Sequence, residues 1–234
     1  MYGAELSHIH DVAFGDVARG ASPEIIRLLR RVARRRTDSA PLVVEVGCGS
    51  GILARALVDK GFRVLGIDVS PHMIRLARAR APRARFRIAS LVDAAMPRCD
   101  AVIAIGEVVT YVPGGLRPLR RFFDRVHRAL HPGGILIFDF LESAARRTFP
   151  PKCINGEDWS LVVRADLDAR GRVLTRRMWM GSVSIEREIH RVRIYSRQEI
   201  ADALRASGFR VEMRRSFGSY RLLPGDVAVI AQKL

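Results

Sequence analysis

The chain has 234 residues, 48% hydrophobic and 27% charged, with 19 glycines and 11 prolines, the composition of one ordinary globular domain with a substantial core. Met1 to His10 lack a signal-peptide pattern, no apolar run reaches the ~20 residues of a membrane helix, and three scattered cysteines argue against a disulfide framework or a zinc site, so a cytoplasmic protein with reduced thiols and no bound metal is expected. The formal charge of +16 admits nucleic acid, an anionic surface or an acidic small molecule as partner, yet all but three of the 40 basic residues are arginine, a skew that fits coding bias as well as phosphate contacts.

From Ser22 to Arg36 the apolar residues Ile25, Ile26, Leu28, Leu29 and Val32 recur at helical spacing, with Ser22 as N-cap and Pro23 at the first helical position. Leu42 to Val46 is a β-branched run that ends at glycines, and Ile52 to Asp59 returns to helical spacing. The alternation continues: strand from Phe62 to Ile67, helix from Pro71 to Arg80, strands from Ala84 to Ile88 and Ala101 to Ile105, helix from Leu116 to Leu130, strand from Gly134 to Phe140. Strands alternating with helices predict a parallel sheet covered on both faces, because each parallel connection must cross back over the sheet.

After Phe149-Pro150-Pro151 the pattern becomes strand-like without helices, over Ser160 to Ala165, Val173 to Met180 and Ser184 to Tyr195, with a hairpin signal at Asp168-Ala169-Arg170-Gly171. This predicts a three-stranded antiparallel insertion at about 150 to 195. Ser196 with Glu199 three residues on forms a capping box for a helix that Gly208 ends. Phe209 to Phe217 and Val227 to Gln232 read as the last strands, joined by a loop at Leu223-Pro224-Gly225-Asp226.

Chemistry concentrates first at Gly47, Gly49 and Gly51, a glycine turn between strand and helix that lets a ligand approach the backbone and its N–H groups. Alone it is compatible with a dinucleotide, with another ligand, or with a tight turn that binds nothing. Glu45 at the end of the first strand, Asp68 closing the second, and the turn His131-Pro132-Gly133-Gly134 before a later strand make it specific.

This ordered set, E-V-G-C-G-S-G, G-I-D-V-S-P-H-M and A-L-H-P-G-G-I-L-I-F-D, resembles the class I S-adenosylmethionine-dependent methyltransferases over nearly the whole chain. Segments around Gly106-Glu107-Val108, Gly156-Glu157-Asp158-Trp159 and Glu188-Ile189-His190 look like a group of bacterial small-molecule methyltransferases. The resemblance implies an α/β, doubly wound (Rossmann-like) seven-stranded sheet with a final antiparallel strand and a small antiparallel β insertion. It further implies a single domain over 1–234, in which 1–36 forms a helical lid and 150–195 a cap. It implies S-adenosylmethionine as methyl donor and S-adenosylhomocysteine as product. Glu45, Gly47, Cys48, Gly49, Gly51 and Gly106 would then line the methionine part of the cofactor, and Asp68 with Val69 would meet the ribose. Met73, Ser90 and Leu91 would lie around the adenine.

Methyl transfer is an in-line displacement in which alignment supplies most of the rate, and a general base is needed only when the nucleophile holds its proton. Candidates lie at the carboxyl end of the sheet: Glu107, Thr110 and Tyr111 after the fourth strand, Glu188 and His190 at the i, i+2 spacing of one strand face, and His8 and His10 before the first helix. Arg164, Arg176, Arg187, Arg191 and Arg193 in the insertion suit an acidic substrate. The segment Ala104-Ile105-Gly106-Glu107-Val108 lacks the Asn/Asp-Pro-Pro-aromatic tetrapeptide of amino-directed DNA methyltransferases, and no Pro-Cys pair supports a cysteine nucleophile. The expectation is a small-molecule N- or O-methyltransferase, monomeric or homodimeric, without a membrane partner. An RNA-directed enzyme using the basic surface and a non-catalytic nucleotide- or partner-binding protein are the competing readings.

Overall fold

The computed structural model describes Ile9 and residues 15–33, 40–142, 150–181 and 185–234. Five helices, α1 (Asp16–Ala33), α2 (Ile52–Asp59), α3 (Pro71–Arg80), α4 (Leu116–Ala129) and α5 (Arg197–Ala206), accompany a main sheet of β1 (Leu42–Val46), β2 (Arg63–Asp68), β3 (Arg85–Ile88), β4 (Cys99–Ala104), β5 (Leu130–Leu141), β10 (Phe209–Arg214) and β13 (Asp226–Lys233). The strand order is β10-β13-β5-β4-β1-β2-β3. β1 pairs in parallel with β2 and β4, whereas β13 is antiparallel to both β5 and β10. The expected seven-stranded, mostly parallel sheet is the one observed.

β4 is buried along its whole length, which is why Cys99 to Ala104 carries no polar alternation apart from Asp100. Asp100 is itself used, since its Oδ2 accepts the Leu42 N–H at 2.8 Å and fixes where β1 begins beside β4. On one face the sheet packs Phe138, Val102 and Val229 against Phe122 and Phe123 of α4 and Leu204 of α5. On the other, Val43, Ile103 and Ile137 meet Ile25 and Leu29 of α1 and Leu53 and Leu57 of α2. Lys233 closes the end of α4 by donating to the carbonyls of His127 (2.7 Å) and Leu130 (2.9 Å), a cation where the helix dipole favours one.

Three expectations need correction. α1 starts at Asp16, so Ser22 and Pro23 lie inside it, and Ser22 Oγ donates back to the Ala18 carbonyl at 2.5 Å instead of capping. Burial of Ala21 and contact at Gly20, where a Cβ would fall 2.0 Å from the Tyr220 ring, hold the added turns against the sheet and outweigh the one bond that proline forfeits. The segment after Phe209 breaks at Arg215, and β11 (Ser216–Phe217) pairs with β12 (Tyr220–Arg221) as a separate hairpin. The insertion has four strands, not three: β6 (Lys152–Asn155), β7 (Ser160–Leu167), β8 (Val173–Gly181) and β9 (Glu186–Arg193) form an antiparallel sheet in that order.

Pairing of Arg176 with His190 and of Met178 with Glu188 places Leu174, Arg176, Met178, Met180, Glu188, His190 and Val192 on one face of that second sheet. Two apolar groups sit at its ends, Leu161, Met178 and Met180 with Ile9, and Leu174, Val192 and Ile194 with Leu141 and Tyr111. The second group, through Leu141 and Tyr111, packs this end of the face against the carboxyl end of β5 and the turn after β4. Phe123, fully buried between α4 and β5, is the test of the core: Phe123→Ala should cost about 3–5 kcal/mol of stability, read by urea denaturation.

Candidate functional site

β1 runs into a turn in which Gly47, Gly49 and Gly51 all have positive φ (68°, 51° and 80°). Two of these glycines also make space: a Cβ on Gly51 would lie 2.9 Å from the Ala77 backbone of α3, and one on Gly47 would lie 2.4 Å from Val108. The turn is laced to β2 by the Gly47 and Cys48 amides, which donate to the Ile67 carbonyl at 2.7 and 3.1 Å. Asp68 completes the lacing, accepting Gly49 N–H on Oδ2 and Ser70 N–H on Oδ1, both at 2.9 Å. Ser70, not Asp68, caps α3 by accepting the Met73 N–H. Burial raises the Asp68 pKa while these amides oppose the rise, and each oxygen keeps lone pairs for further donors.

The turn borders a cleft with about 470 Å³ of empty space including its mouth, lined by Glu45, Gly47, Gly49, Ile105, Gly106 and, from the start of α1, Val17. Glu45 is 4% exposed, and its Oε2 is buried with no hydrogen-bond partner among the described residues. Burial, then repulsion from Asp68, pushes its carboxyl up to about 8. Cys48 is buried and its thiol is pushed up by desolvation, Glu45 and Asp68, which suits a small buried filler and not a nucleophile.

At the carboxyl ends of β2 and β3 the exposed apolar surface is Val69 (45%) and Ile88 (50%). Ile88 pairs in register with Asp68 and was not singled out from the sequence, although it is the last large apolar residue before Ser90. Ser90 and Leu91 follow as a half-buried turn, Ser90 Oγ accepting the Val92 N–H at 3.2 Å. Met73 is 1% exposed and packs beneath this surface. It would have to move to touch a ligand.

After β4, Gly106 (φ 87°) and Glu107 (φ 60°) form a left-handed turn. Glu107 is the one non-glycine among the described residues with positive φ, a costly conformation that persists where surroundings enforce it. Asp139 of β5 enforces it, accepting Gly106 N–H at 2.7 Å and Glu107 N–H at 3.2 Å. The Glu107 carboxylate meets Arg176 of the insertion, whose Nη2 donates to Oε2 at 2.8 Å and Oε1 at 3.0 Å. Arg176 also adjoins the Tyr111 hydroxyl, and these partners hold its pKa above the ordinary value against the cost of burial.

The structure brings Tyr111, His190 and Glu188 together. Tyr111 Oη lies 3.2 Å from His190 Nδ1, and His190 Nε2 lies 2.9 Å from Glu188 Oε2. Burial lowers the His190 pKa and Glu188 only partly restores it, so the ring is neutral at pH 7. A neutral ring that donates from Nε2 to Glu188 carries its acceptor lone pair on Nδ1, which faces the Tyr111 hydroxyl. Thr110 is buried, its hydroxyl turned to the Glu107 carbonyl at 2.5 Å. His8 and His10 lie outside the described residues.

The insertion arginines do not converge on the cleft. On the strand period Arg164, Arg187, Arg191 and Arg193 fall on the face opposite Arg176, with Arg187 stacked on Trp179 at 5.9 Å. Two acids that the sequence reading passed over lie close by instead. Asp139 is 2% and Asp226 7% exposed, and the β5–β13 register places them as diagonal neighbours on the face that carries α1. The signal for Asp139 was present as a lone carboxylate in the apolar run Ile135 to Phe140. Asp226 sat in an apparent loop.

Among the described residues no His, Cys, Asp and Glu cluster is arranged for a metal ion, and no helix is long and apolar enough to cross a membrane. Residues 43–134 match the family described as Methyltransferase domain. A trans-aconitate 2-methyltransferase from Methylobacterium radiotolerans is 32% identical over 120 residues, which is 50% of this chain and 44% of that protein. The chain spans less than half the length of the curated relatives it matches. Two solved structures share the fold over 97% of this chain and 97% of their own. They are an S-adenosylmethionine-dependent methyltransferase from Clostridium acetobutylicum (TM-score 0.80, 15% identity) and an amino pentose methyltransferase from Micromonospora echinaspora with S-adenosylmethionine bound (0.68, 21%).

The Glu45 carboxyl makes a pH prediction. Its folded pKa of about 8 lies above the ordinary 4.5, so the folded state binds the proton more tightly than the unfolded chain. The associated stability is complete below pH 4.5 and is lost as pH rises to about 8. Urea denaturation between those limits should show wild-type stability falling more steeply with pH than that of Glu45→Gln, by a few kcal/mol across the window. Equal slopes would mean that Glu45 ionises normally.

Proposed function

We propose that this chain is a class I S-adenosylmethionine-dependent methyltransferase that transfers the methyl group of S-adenosylmethionine to a nitrogen or oxygen of a small molecule, a reading supported by the family match over 43–134 and by the shared fold. The observation that carries the reading is the orphaned Glu45 oxygen beside an open glycine cradle, where a Cβ on Gly49 or Gly106 would meet nothing within 4 Å. A buried carboxyl with one oxygen lacking a donor fits the amino group of a methionine moiety, and the Asp68 lone pairs fit a ribose diol.

In this reading Glu45, Gly47, Cys48, Gly49, Gly51 and Gly106 hold the methionine end. Asp68 and Val69 hold the ribose, and Ser90, Leu91 and the Met73 helix border the adenine. When bound, the cofactor supplies an electrophilic methyl group on a sulfonium, open to in-line displacement. The chain's own work is to orient the acceptor, exclude water and take up a proton. Residues 1–36 serve as a lid and 150–195 as a cap, with the start of α1 walling the cleft and the polar face of the insertion above it.

Tyr111, His190 and Glu188 form the proton path: Glu188 fixes the ring tautomer, and His190 Nδ1 accepts through the Tyr111 hydroxyl. Glu107, held by Arg176, shapes the turn and positions that guanidinium beside Tyr111. A small acceptor is supported by the relatives, one named for trans-aconitate and one for an amino pentose.

Asp68→Ala should weaken S-adenosylmethionine binding by about tenfold or more, the loss of charge-assisted hydrogen bonds, measured by calorimetry. His190→Gln should leave that affinity within about twofold and lower kcat by about a hundredfold with an acceptor that must lose a proton. Unchanged kcat would remove His190 from the proton path.

A further inference from the structure

The insertion sheet has a second face, turned away from Arg176 and His190, that the methyltransferase reading does not use. Strand period and register put Arg164 of β7, Arg177 and Trp179 of β8, and Arg187, Ile189 and Arg191 of β9 on it. Across the strands Trp179 lies beside Arg187, and Arg164, Arg177 and Ile189 form the next row. Ile185, which continues the alternation at the head of β9, is 81% exposed, and Ile189 is 46% exposed. Two large apolar side chains thus stand in solvent at one edge of the sheet, alternating with arginines.

Asp166 is the one acid that β7, β8 and β9 place on this face, and it pairs with Arg177. Arg164, Arg187 and Arg191 are exposed and form no ion pair among the described residues, Arg187 resting over the Trp179 ring. The segments 143–149 and 182–184, which adjoin the sheet in sequence, contain no acidic residue, and Ile9 packs on the opposite face with Met178 and Met180. The face is therefore positive and calls for an anionic partner. A second copy does not fit, since an isologous contact would set arginine against arginine. A single-stranded nucleic acid needs open aromatic faces for its bases, and Trp179, the one aromatic here, carries Arg187 on its ring. A protein interface gathers its apolar residues into a water-excluding centre, whereas arginines separate them here. Arginine interspersed with isoleucine and tryptophan suits the headgroup layer of a bilayer, where guanidinium groups meet phosphates and apolar side chains reach the acyl boundary.

We infer that this outer face of the insertion sheet docks on an anionic lipid surface. The docking is peripheral, since no helix among the described residues is long and apolar enough to cross a membrane. The sequence pointed to no membrane partner because the residues concerned are scattered from Arg164 to Arg191 and share a face only once three strands pair. One sheet carries Arg176 and His190 on one side and the docking residues on the other, so docking draws on none of the residues of the proton path.

The test is co-sedimentation of the whole chain with vesicles of phosphatidylcholine alone and of phosphatidylcholine and phosphatidylglycerol in equal parts, with S-adenosylmethionine binding measured alongside. The chain should bind the anionic vesicles in preference to the neutral ones, and salt should weaken the binding. Ile185→Ser with Ile189→Ser, and Arg187→Glu with Arg191→Glu, should each weaken it by about tenfold or more while S-adenosylmethionine affinity stays within about twofold of wild type. Arg120→Glu with Arg121→Glu, at exposed positions of α4, changes the net charge equally and should weaken it by no more than about threefold. Absent binding to anionic vesicles, equal binding to both kinds, no loss in the isoleucine pair, or equal losses from the α4 and β9 charge reversals would each overturn the inference. Failure of the wild type to bind S-adenosylmethionine would count against the methyltransferase reading alone. If a β9 variant does not fold, the wild-type lipid preference and the α4 pair still decide.

Discussion

Asp68 joins two segments that the chain separates by 19 positions, and the cleft takes its shape from that junction. One oxygen holds the Gly49 amide and the other the Ser70 amide, so the glycine turn after β1 and the first turn of α3 are set by the same side chain. Without it the turn would keep the Gly47 and Cys48 bonds to the Ile67 carbonyl but lose the anchor of its Gly49 amide. Glu45 then falls on the inner side of the turn, its carboxyl meeting the Ala54 amide and its Oε2 left without a donor among the described residues. The unfilled hydrogen bond and the raised pKa of Glu45 both follow from that placement, and both would be relieved by a cationic ligand group.

A second carboxylate does comparable work on the other side of the cleft. Asp139 holds Glu107 in a conformation that few non-glycine residues adopt, and this aims the Glu107 side chain at Arg176 in the insertion. The pair is the polar link between the main sheet and the sheet above it. A buried pair of this kind adds little net stability, but it fixes where Arg176 stands relative to Tyr111. The apolar cluster of Leu174, Val192 and Ile194 with Leu141 and Tyr111 supplies the adhesion. Adhesion and alignment are thus carried by different residues.

The main sheet was legible because its signals are local. Glycines after a β-branched run, Pro71 at the head of an amphipathic segment, and the Ser196–Glu199 capping box, observed as such, each fix an element from a few neighbouring residues. The pairing of Glu188 with His190 was legible for the same reason, since residues two apart on a strand share a face. What failed depended on contacts made far along the chain. The extra turns of α1 depend on Tyr220, β6 depends on its pairing with β7, and the insertion arginines could not be sorted into faces before the register of β8 against β9 was known. Asp226 was invisible as a buried acid because its burial arises where β13 pairs with β5, which is far from it in sequence.

The strong positive charge of the chain says little about the cleft, whose described lining carries Glu45, with Asp68 holding the glycine turn beside it. Its chemistry is set by carboxylates with unmet demands. The central claim is that the glycine turn, Glu45 and Asp68 together form an S-adenosylmethionine site. Isothermal calorimetry of the whole chain with S-adenosylmethionine, S-adenosylhomocysteine and NAD tests it most directly. Saturable binding of the first two, each at one ligand per chain, without NAD binding is the expected result. Binding of NAD alone, or of none of the three, would contradict it.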